Sequence, residues 1–301
     1  MRGLAQAKAG AAPRMIAILA FVACAHALRG PGIRATTTAA RCVRRTTTTA
    51  ARRVRRAAAP SVVDVARRAA APSVVEVDVF IESTDCFGVA FYANYFKWLE
   101  YGLGERLTAV DGMKYKQPAV LGDAVEVRTT PVDDGSGSEQ VIARRRDDAA
   151  LITVAKAHAG PAEPAAPPSP PAGVRVESTH TCRHDDLDGR DSSFSLDACL
   201  RAFERSRSTF LGGPDELAAL MSSGVTVVVA SVDALRYAPR AAAIGEPVEV
   251  AVDASLQRTR IIFDQFVVVG GAAAASARVT CVCVNERGRP CAPPDAVLKL
   301  F

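Results

Sequence analysis

Glu82-Ser83-Thr84-Asp85-Cys86-Phe87-Gly88-Val89-Ala90-Phe91-Tyr92-Ala93-Asn94-Tyr95-Phe96-Lys97-Trp98-Leu99-Glu100 joins a β-rich segment to an aromatic helix through one acid and one glycine. Upstream, Ser73 to Glu82 reads Ser-Val-Val-Glu-Val-Asp-Val-Phe-Ile-Glu, and its partial alternation and Val and Ile content predict a strand. Downstream, Tyr92, Tyr95, Phe96, Leu99, Leu103 and Leu107 recur at intervals of three and four. That spacing predicts a helix from about Tyr92 to Leu107 with one buried stripe. Asp85 stands just ahead of the helix. An acid there serves as a turn or cap residue in many proteins. The same position sets a carboxylate beside the first N–H groups of the helix, which have no intrahelical partners and carry partial positive charge.

Working outward, Gly122 to Val132, Glu139 to Arg146 and Ala150 to His158 read as three further strands, separated by an Asp-Asp-Gly-Ser-Gly loop and a short Asp-Asp turn. Strand, helix and strand meander make an α+β order. Gly160 to Gly173 then holds six prolines among Ala, Ser and Glu, a composition that extends rather than packs. After it the order repeats. Val174 to His184 is a strand, and Leu196 to Phe210 a helix striped by Leu196, Cys199, Leu200, Phe203 and Phe210. Val225 to Tyr237, Glu246 to Leu256, Thr259 to Val269 and Ala275 to Asn285 are four more strands. Leu121-Gly122-Asp123-Ala124-Val125-Glu126-Val127 matches Ile244-Gly245-Glu246-Pro247-Val248-Glu249-Val250, and Phe96-Lys97-Trp98-Leu99-Glu100 matches Leu200-Arg201-Ala202-Phe203-Glu204. The body is therefore read as a tandem duplication, residues 73–160 and 174–301, joined by a linker over 161–173. One difference stands out. The second copy has a long strand, Gly224 to Asp233, before its Ile-Gly-Glu turn, whereas the first passes from Leu107 to Met113 with nothing equivalent. The expectation is a first unit short of one strand, with the other half covering the gap or a segment absent from this sequence.

The 301 residues carry a formal charge of +5, but residues 1 to 63 contain no Asp or Glu and hold twelve of the 37 Lys and Arg. The body alone is acidic, so the basic balance argues nothing about nucleic acid. Arg2, Lys8 and Arg14 precede an apolar run, Met15 to Ala25, ending in the small-residue sequence Ala-Cys-Ala-His-Ala at Ala27. That is a signal-peptide pattern over 1–27, and its apolar run is shorter than the roughly 20 residues that span a bilayer, which disfavours a stable membrane anchor. Residues 28–72 are rich in Arg, Thr and Ala, as transit peptides are. The pair resembles the bipartite leaders of plastid proteins in algae with secondary plastids. The secretory pathway is the alternative destination, and a basic N-terminus with no address is the bland one. Within it, Arg55 to Ala66 is repeated almost unchanged by Arg67 to Asp78, a duplication too short to be a solenoid. Six of the eight cysteines lie beyond the leader with no Cys-x-x-Cys pair, so a reduced interior is the default.

Thr84-Asp85-Cys86-Phe87-Gly88-Val89-Ala90-Phe91-Tyr92-Ala93-Asn94-Tyr95 resembles the Asp-x-x-Gly-Ile/Val-x-x-Tyr-x-Asn-Tyr motif of the 4-hydroxybenzoyl-CoA thioesterase branch of the hotdog superfamily. Arg183-His184-Asp185-Asp186-Leu187-Asp188-Gly189 is similar, less specifically, to a segment of a related branch that includes acyl-carrier-protein thioesterases. The resemblance covers roughly residues 74 to 301. It implies two tandem hotdog units, each a long helix wrapped by an antiparallel sheet, paired as an intrachain pseudo-dimer that can pair again as a homo-oligomer. It also implies hydrolysis of an acyl or aroyl thioester of coenzyme A or acyl carrier protein. No cofactor is implied, coenzyme A or phosphopantetheine being part of the substrate. Asp85 becomes the catalytic carboxylate, as nucleophile or as general base toward water. Tyr92 supplies the backbone N–H that polarises the thioester oxygen. Gly88, Val89 and Asn94 become substrate-contacting positions. The second copy departs from its branch: after Asp188 it runs Gly189-Arg190-Asp191-Ser192-Ser193-Phe194, one residue longer than the first. Asp188 is thus a second candidate site, in a copy read as having lost catalysis.

Two further clusters weigh less. His180-x-Cys182-x-His184 puts three possible metal ligands on one strand face with no second pair to complete a zinc site. Arg144-Arg145-Arg146 suits the phosphates of coenzyme A, though a charge run is more often a solvated face. The rival classes are a non-catalytic acyl-thioester-binding or assembly protein, suggested by the expected missing strand and the altered second half, and a hotdog dehydratase, disfavoured because Tyr92 stands where those relatives carry His.

Overall fold

The computed structural model describes residues 72–85, 88–132, 137–145, 150–159 and 166–301, which fall within one compact unit, Pro60–Phe301. The signal-peptide and transit-like readings, residues 1–71, lie outside these, as do Cys86, Phe87 and Arg146.

The first half runs β1 (Ser73–Asp78), α1 (Asn94–Leu103), β2 (Leu107–Tyr115), β3 (Ala124–Pro131), β4 (Ser138–Arg144) and β5 (Leu151–Ala159). The second runs β6 (Arg175–Thr181), α2 (Leu196–Phe210), α3 (Gly213–Ser222), β7 (Val225–Tyr237), β8 (Pro247–Gln257), β9 (Arg260–Val269), β10 (Ala272–Asn285) and a closing turn of helix, α4 (Asp295–Leu298). All strands form one antiparallel sheet in the order β1-β3-β4-β5-β2-β7-β10-β9-β8-β6. The order reads the same from either edge, with β2 and β7 at the centre, as a tandem duplication requires.

The expected gap in the first half is filled. Residues 107 to 115, taken in part as the end of the helix and in part as a break, form β2, which pairs with β5 on one side and β7 on the other. Asp111-Gly112 lies in a bulge of this strand. The β2–β5 register slips between Asp111 and Lys114, and Gly112 sits at φ +65°, where a glycine adopts the bulge at low cost. The second half differs by an added helix, α3, rather than by an added strand. Its Gly212-Gly213-Pro214 opening carries a proline in the first turn.

Helix α1 is also shorter than the pattern suggests. It begins at Asn94 and stops at Gly104, whose φ of +71° makes a left-handed cap. Tyr95, Phe96, Trp98 and Leu99 are buried, each contributing on the order of 1.5–3 kcal/mol of transfer free energy. The same closure holds each helix to its half-sheet. Gln140 of β4 donates from Nε2 to the Leu99 carbonyl at 3.0 Å, and Gln265 of β9 donates to the aligned Phe203 carbonyl at 2.8 Å. Between the halves, Val110 faces Leu235 and Met113 faces Val232 across the β2–β7 seam. Arg236 Nη1 donates to Asp111 Oδ1 over the same seam at 2.8 Å, with His158 Nε2 3.0 Å from Asp111 Oδ2.

Candidate active site

Asp85 lies on a tight turn between β1 and α1. Its N–H donates to the Val89 carbonyl at 2.8 Å, its carbonyl accepts from Gly88 at 3.0 Å, and its carboxylate Oδ1 accepts from the Val89 N–H at 3.2 Å. Thr84 and Ala90 bridge across the base of the turn, and Val89 bridges to Val120. Asp85 itself is exposed. Gly88 stands at φ +71°, with open space where a Cβ would project, so glycine is required here by backbone conformation. The chain then enters α1, anchored by Asn94, whose Nδ2 donates to the Ser83 carbonyl at 2.9 Å, the same carbonyl that the Phe91 N–H reaches at 3.0 Å. Asn94, expected to touch substrate, ties the helix to the turn. The Tyr95 phenol in the first turn of α1 is pushed up to about 12, mainly by burial, with the Asp85 charge a smaller cause.

Tyr92 occupies the approach to α1. Its ring is 8% exposed and lies over the Arg207 guanidinium of α2, 4.9 Å from carbon to centroid, while its hydroxyl donates to the Leu200 carbonyl at 2.5 Å. Burial pushes its phenol up to about 12, so the side chain stays a neutral donor near neutrality. Its carbonyl accepts from Tyr115 at 3.1 Å. Arg207, 3% exposed, is paired with Glu204 and donates to Gln265 Oε1 at 2.7 Å. The first copy's helix mouth is therefore packed against the second copy's helix.

The second copy repeats the turn with the same hydrogen-bond plan. Asp188 N–H donates to Ser193 at 2.7 Å, and Leu187 bridges to Phe194 as Thr84 does to Ala90. One extra residue separates Asp188 from its partner, and Ser192 takes up a φ of 57°. The chemistry differs sharply. The Asp188 carboxylate accepts from Arg190 Nη2 at 2.7 Å, from the Arg190 N–H at 2.9 Å and from Arg106 Nη2 at 3.0 Å, and its side chain is 11% exposed. The Arg190 hydrogen bonds hold it below the usual carboxylate range. A cavity of about 250 Å³ adjoins it between α1 and α2, lined in part by Phe96, Glu100, Arg190, Leu196, Leu200 and Tyr237.

No protein-family model and no curated protein matches the chain. Solved structures do. A Lactobacillus plantarum protein described as an oleoyl thioesterase superposes with a TM-score of 0.52 at 11% identity, over 72% of this chain and 98% of that one. The fold is a double hotdog. An acyl-ACP thioesterase from Bacteroides thetaiotaomicron aligns over 71% of this chain and 98% of that one, at a TM-score of 0.48 and 12% identity.

In this double hotdog the pseudo-twofold between the halves brings in residues that motif reading passes over. Glu100 of α1 faces the Asp188 turn. Burial raises its carboxyl, the Leu107 N–H donates to it at 3.0 Å, and Arg190 Nη2 lies 3.7 Å away. Its partner under the duplication is Glu204, and the alignment of Phe96–Glu100 with Leu200–Glu204 was the available signal. Arg106 was invisible to sequence reasoning, because only the fold carries it from the first half to Asp188 and Asp191 of the second. Of the basic run, Arg144 pairs with the buried Asp123 at 2.9 Å and Arg145 with Glu76 at 2.6 Å. Among the described residues no group of three or more His, Cys, Asp or Glu is placed to hold a metal ion.

Proposed function

We propose that this protein hydrolyses an acyl or aroyl thioester of coenzyme A or acyl carrier protein, with Asp85 as the catalytic carboxylate. The observation that carries the reading is the contrast between the two copies of one turn. Asp85 is exposed at the helix mouth, whereas Asp188 is enclosed by two arginines that occupy its lone pairs. A nucleophile or base must approach carbon or water, which exposure permits and enclosure by arginines hinders. On the nucleophilic route, Asp85 attacks the thioester carbonyl, the thiolate leaves, and water opens the mixed anhydride to the free acid. On the general-base route, Asp85 takes a proton from water as its oxygen attacks. In both, negative charge grows on the carbonyl oxygen, and the N–H of Tyr92, at the approach to α1, is the proposed donor to it, reinforced by the positive end of the helix. Gly88 and Val89 form the turn that holds Asp85 in place.

The Lactobacillus plantarum protein that superposes on this fold is described as a thioesterase, which supports the reaction class. The binding-only alternative loses one of its two arguments, since β2 is present and the sheet is continuous; the altered second turn is the other. The chemistry assigned to Asp85 needs no metal, so thiol release should survive chelation. Residues 1–72 are proposed as a plastid address. A fluorescent protein fused behind them should enter plastids, and a secreted or cytosolic signal contradicts that assignment. The test of function is release of free thiol from a panel of acyl-CoA and acyl-carrier-protein thioesters, wild type against Asp85→Asn.

A further inference from the structure

Strand β10 outlasts its neighbour β9, whose last partner position is Arg260 opposite Val282. Past that point the chain turns and returns along the vacated edge. Asn285 N–H donates to Arg289 at 2.9 Å, Val284 bridges to Pro290, and Cys291 N–H donates to the Cys283 carbonyl at 2.9 Å. This ladder sets Cys283 and Cys291 directly opposite each other at a hydrogen-bonded position. Opposite residues of that type have Cα atoms about 5.5 Å apart, within the roughly 4.4–6.8 Å that a disulfide spans, and their side chains leave the same face. Both thiols are free, Cys283 buried and Cys291 half-buried against the same core. Cys281, two residues earlier, faces Val229 and Ile261 and has no cysteine opposite it.

We propose that Cys283 and Cys291 are a modification site, forming a reversible intrachain disulfide that latches the C-terminal arm onto β10. The arm is built into the molecule: Val297 is buried, and the Phe301 ring lies 5.6 Å from Phe210 at the end of α2. Helix α2 in turn carries Arg207 against Tyr92. The oxidant is a low-molecular-weight disulfide such as oxidised glutathione. The Cys291 thiolate, the accessible one, attacks it and expels one thiolate, leaving a mixed disulfide. Cys283 then loses its proton and attacks the Cys291 sulfur, expelling the second. The two cysteines give up two electrons and two protons, and the reagent leaves as two thiols. Burial pushes the Cys283 thiol up to about 11, which casts it as the resolving partner rather than the first attacker.

The test equilibrates the full chain with glutathione buffers from reducing to oxidising, blocks remaining thiols and maps tryptic peptides without reduction. The expected result is a cross-link between residues 279–287 and 288–299, lighter than their sum by two hydrogens. It should persist in Cys281→Ser and vanish in Cys283→Ser and in Cys291→Ser. The thermal midpoint of the oxidised wild type should rise by several degrees, with no such rise in Cys291→Ser. Absence of the cross-link in oxidised wild type, its survival in Cys291→Ser, or an equal thermal rise in that variant overturns the proposal. Because Cys291 is only half-buried, its variant answers even if Cys283→Ser folds poorly.

Discussion

Asp85 and Asp188 show how much one residue's surroundings decide. They occupy equivalent places on equivalent turns, yet one faces solvent and the other is clamped by Arg106 and Arg190. The motif around Asp85 was legible because its glycine, aromatics and spacing all sit within one short stretch. The clamp on Asp188 was not, since Arg106 comes from the other half of the chain. Two consequences follow at this scale. Asp188→Asn should leave thiol release within about threefold of wild type, because that carboxylate is not the proposed base; a loss as deep as that of Asp85→Asn would move the chemistry to the second copy. The clamp should also leave an acid signature. Hydrogen bonds from Arg190 and Arg106 depress the Asp188 and Asp191 carboxyls, respectively, below an unfolded value near 3.9. A depressed folded value gives stability that is full above about pH 5 and is lost as pH falls through the folded values. Asp191 is nearly half exposed, so solvent screening keeps its share small. Urea midpoints should therefore fall between about pH 5 and pH 3, with a shallower fall in Arg106→Ala. Parallel curves for the two proteins would remove the clamp from the explanation.

Among the elements, β10 and β3 announce themselves by Val-rich alternation, and α2 by its stripe; the structure adds the Ser195 cap, which accepts from the Ala198 N–H at 3.1 Å. β2 was hidden because Asp-Gly signals a turn locally, whereas pairing on both sides turns it into a bulge. α3 was hidden behind two glycines and a proline. The helix packs closely on the sheet at Gly102. A Cβ there would lie 2.7 Å from Gln140 Nε2, 2.7 Å from Thr129 Oγ1 and 2.8 Å from Val127 Cγ1. The second copy has Ser206 at the aligned position, where its hydroxyl accepts from Gln265 Nε2 at 2.6 Å. Gly102→Ala should cost about 1–3 kcal/mol in urea unfolding, through strain against β3 and β4. A cost below about 0.5 kcal/mol would show that the sheet yields there at little expense.

For the whole molecule, duplication supplies both the fold and the asymmetry. One continuous sheet, symmetric about the β2–β7 seam, carries two helices whose mouths have diverged. The first keeps an exposed carboxylate. The second keeps a cavity but neutralises its acid. The tandem architecture was readable because both copies retain the same turn and helix sequences, while the cavity was not, since it exists only where the halves meet. Thiol release from acyl thioesters tests the central claim most directly. Wild type should release thiol from at least one member of a coenzyme A and acyl-carrier-protein panel, and Asp85→Asn should do so roughly 10²–10⁴ times more slowly. Release by Asp85→Asn at the wild-type rate, or binding of thioesters by wild type without any release, would contradict it.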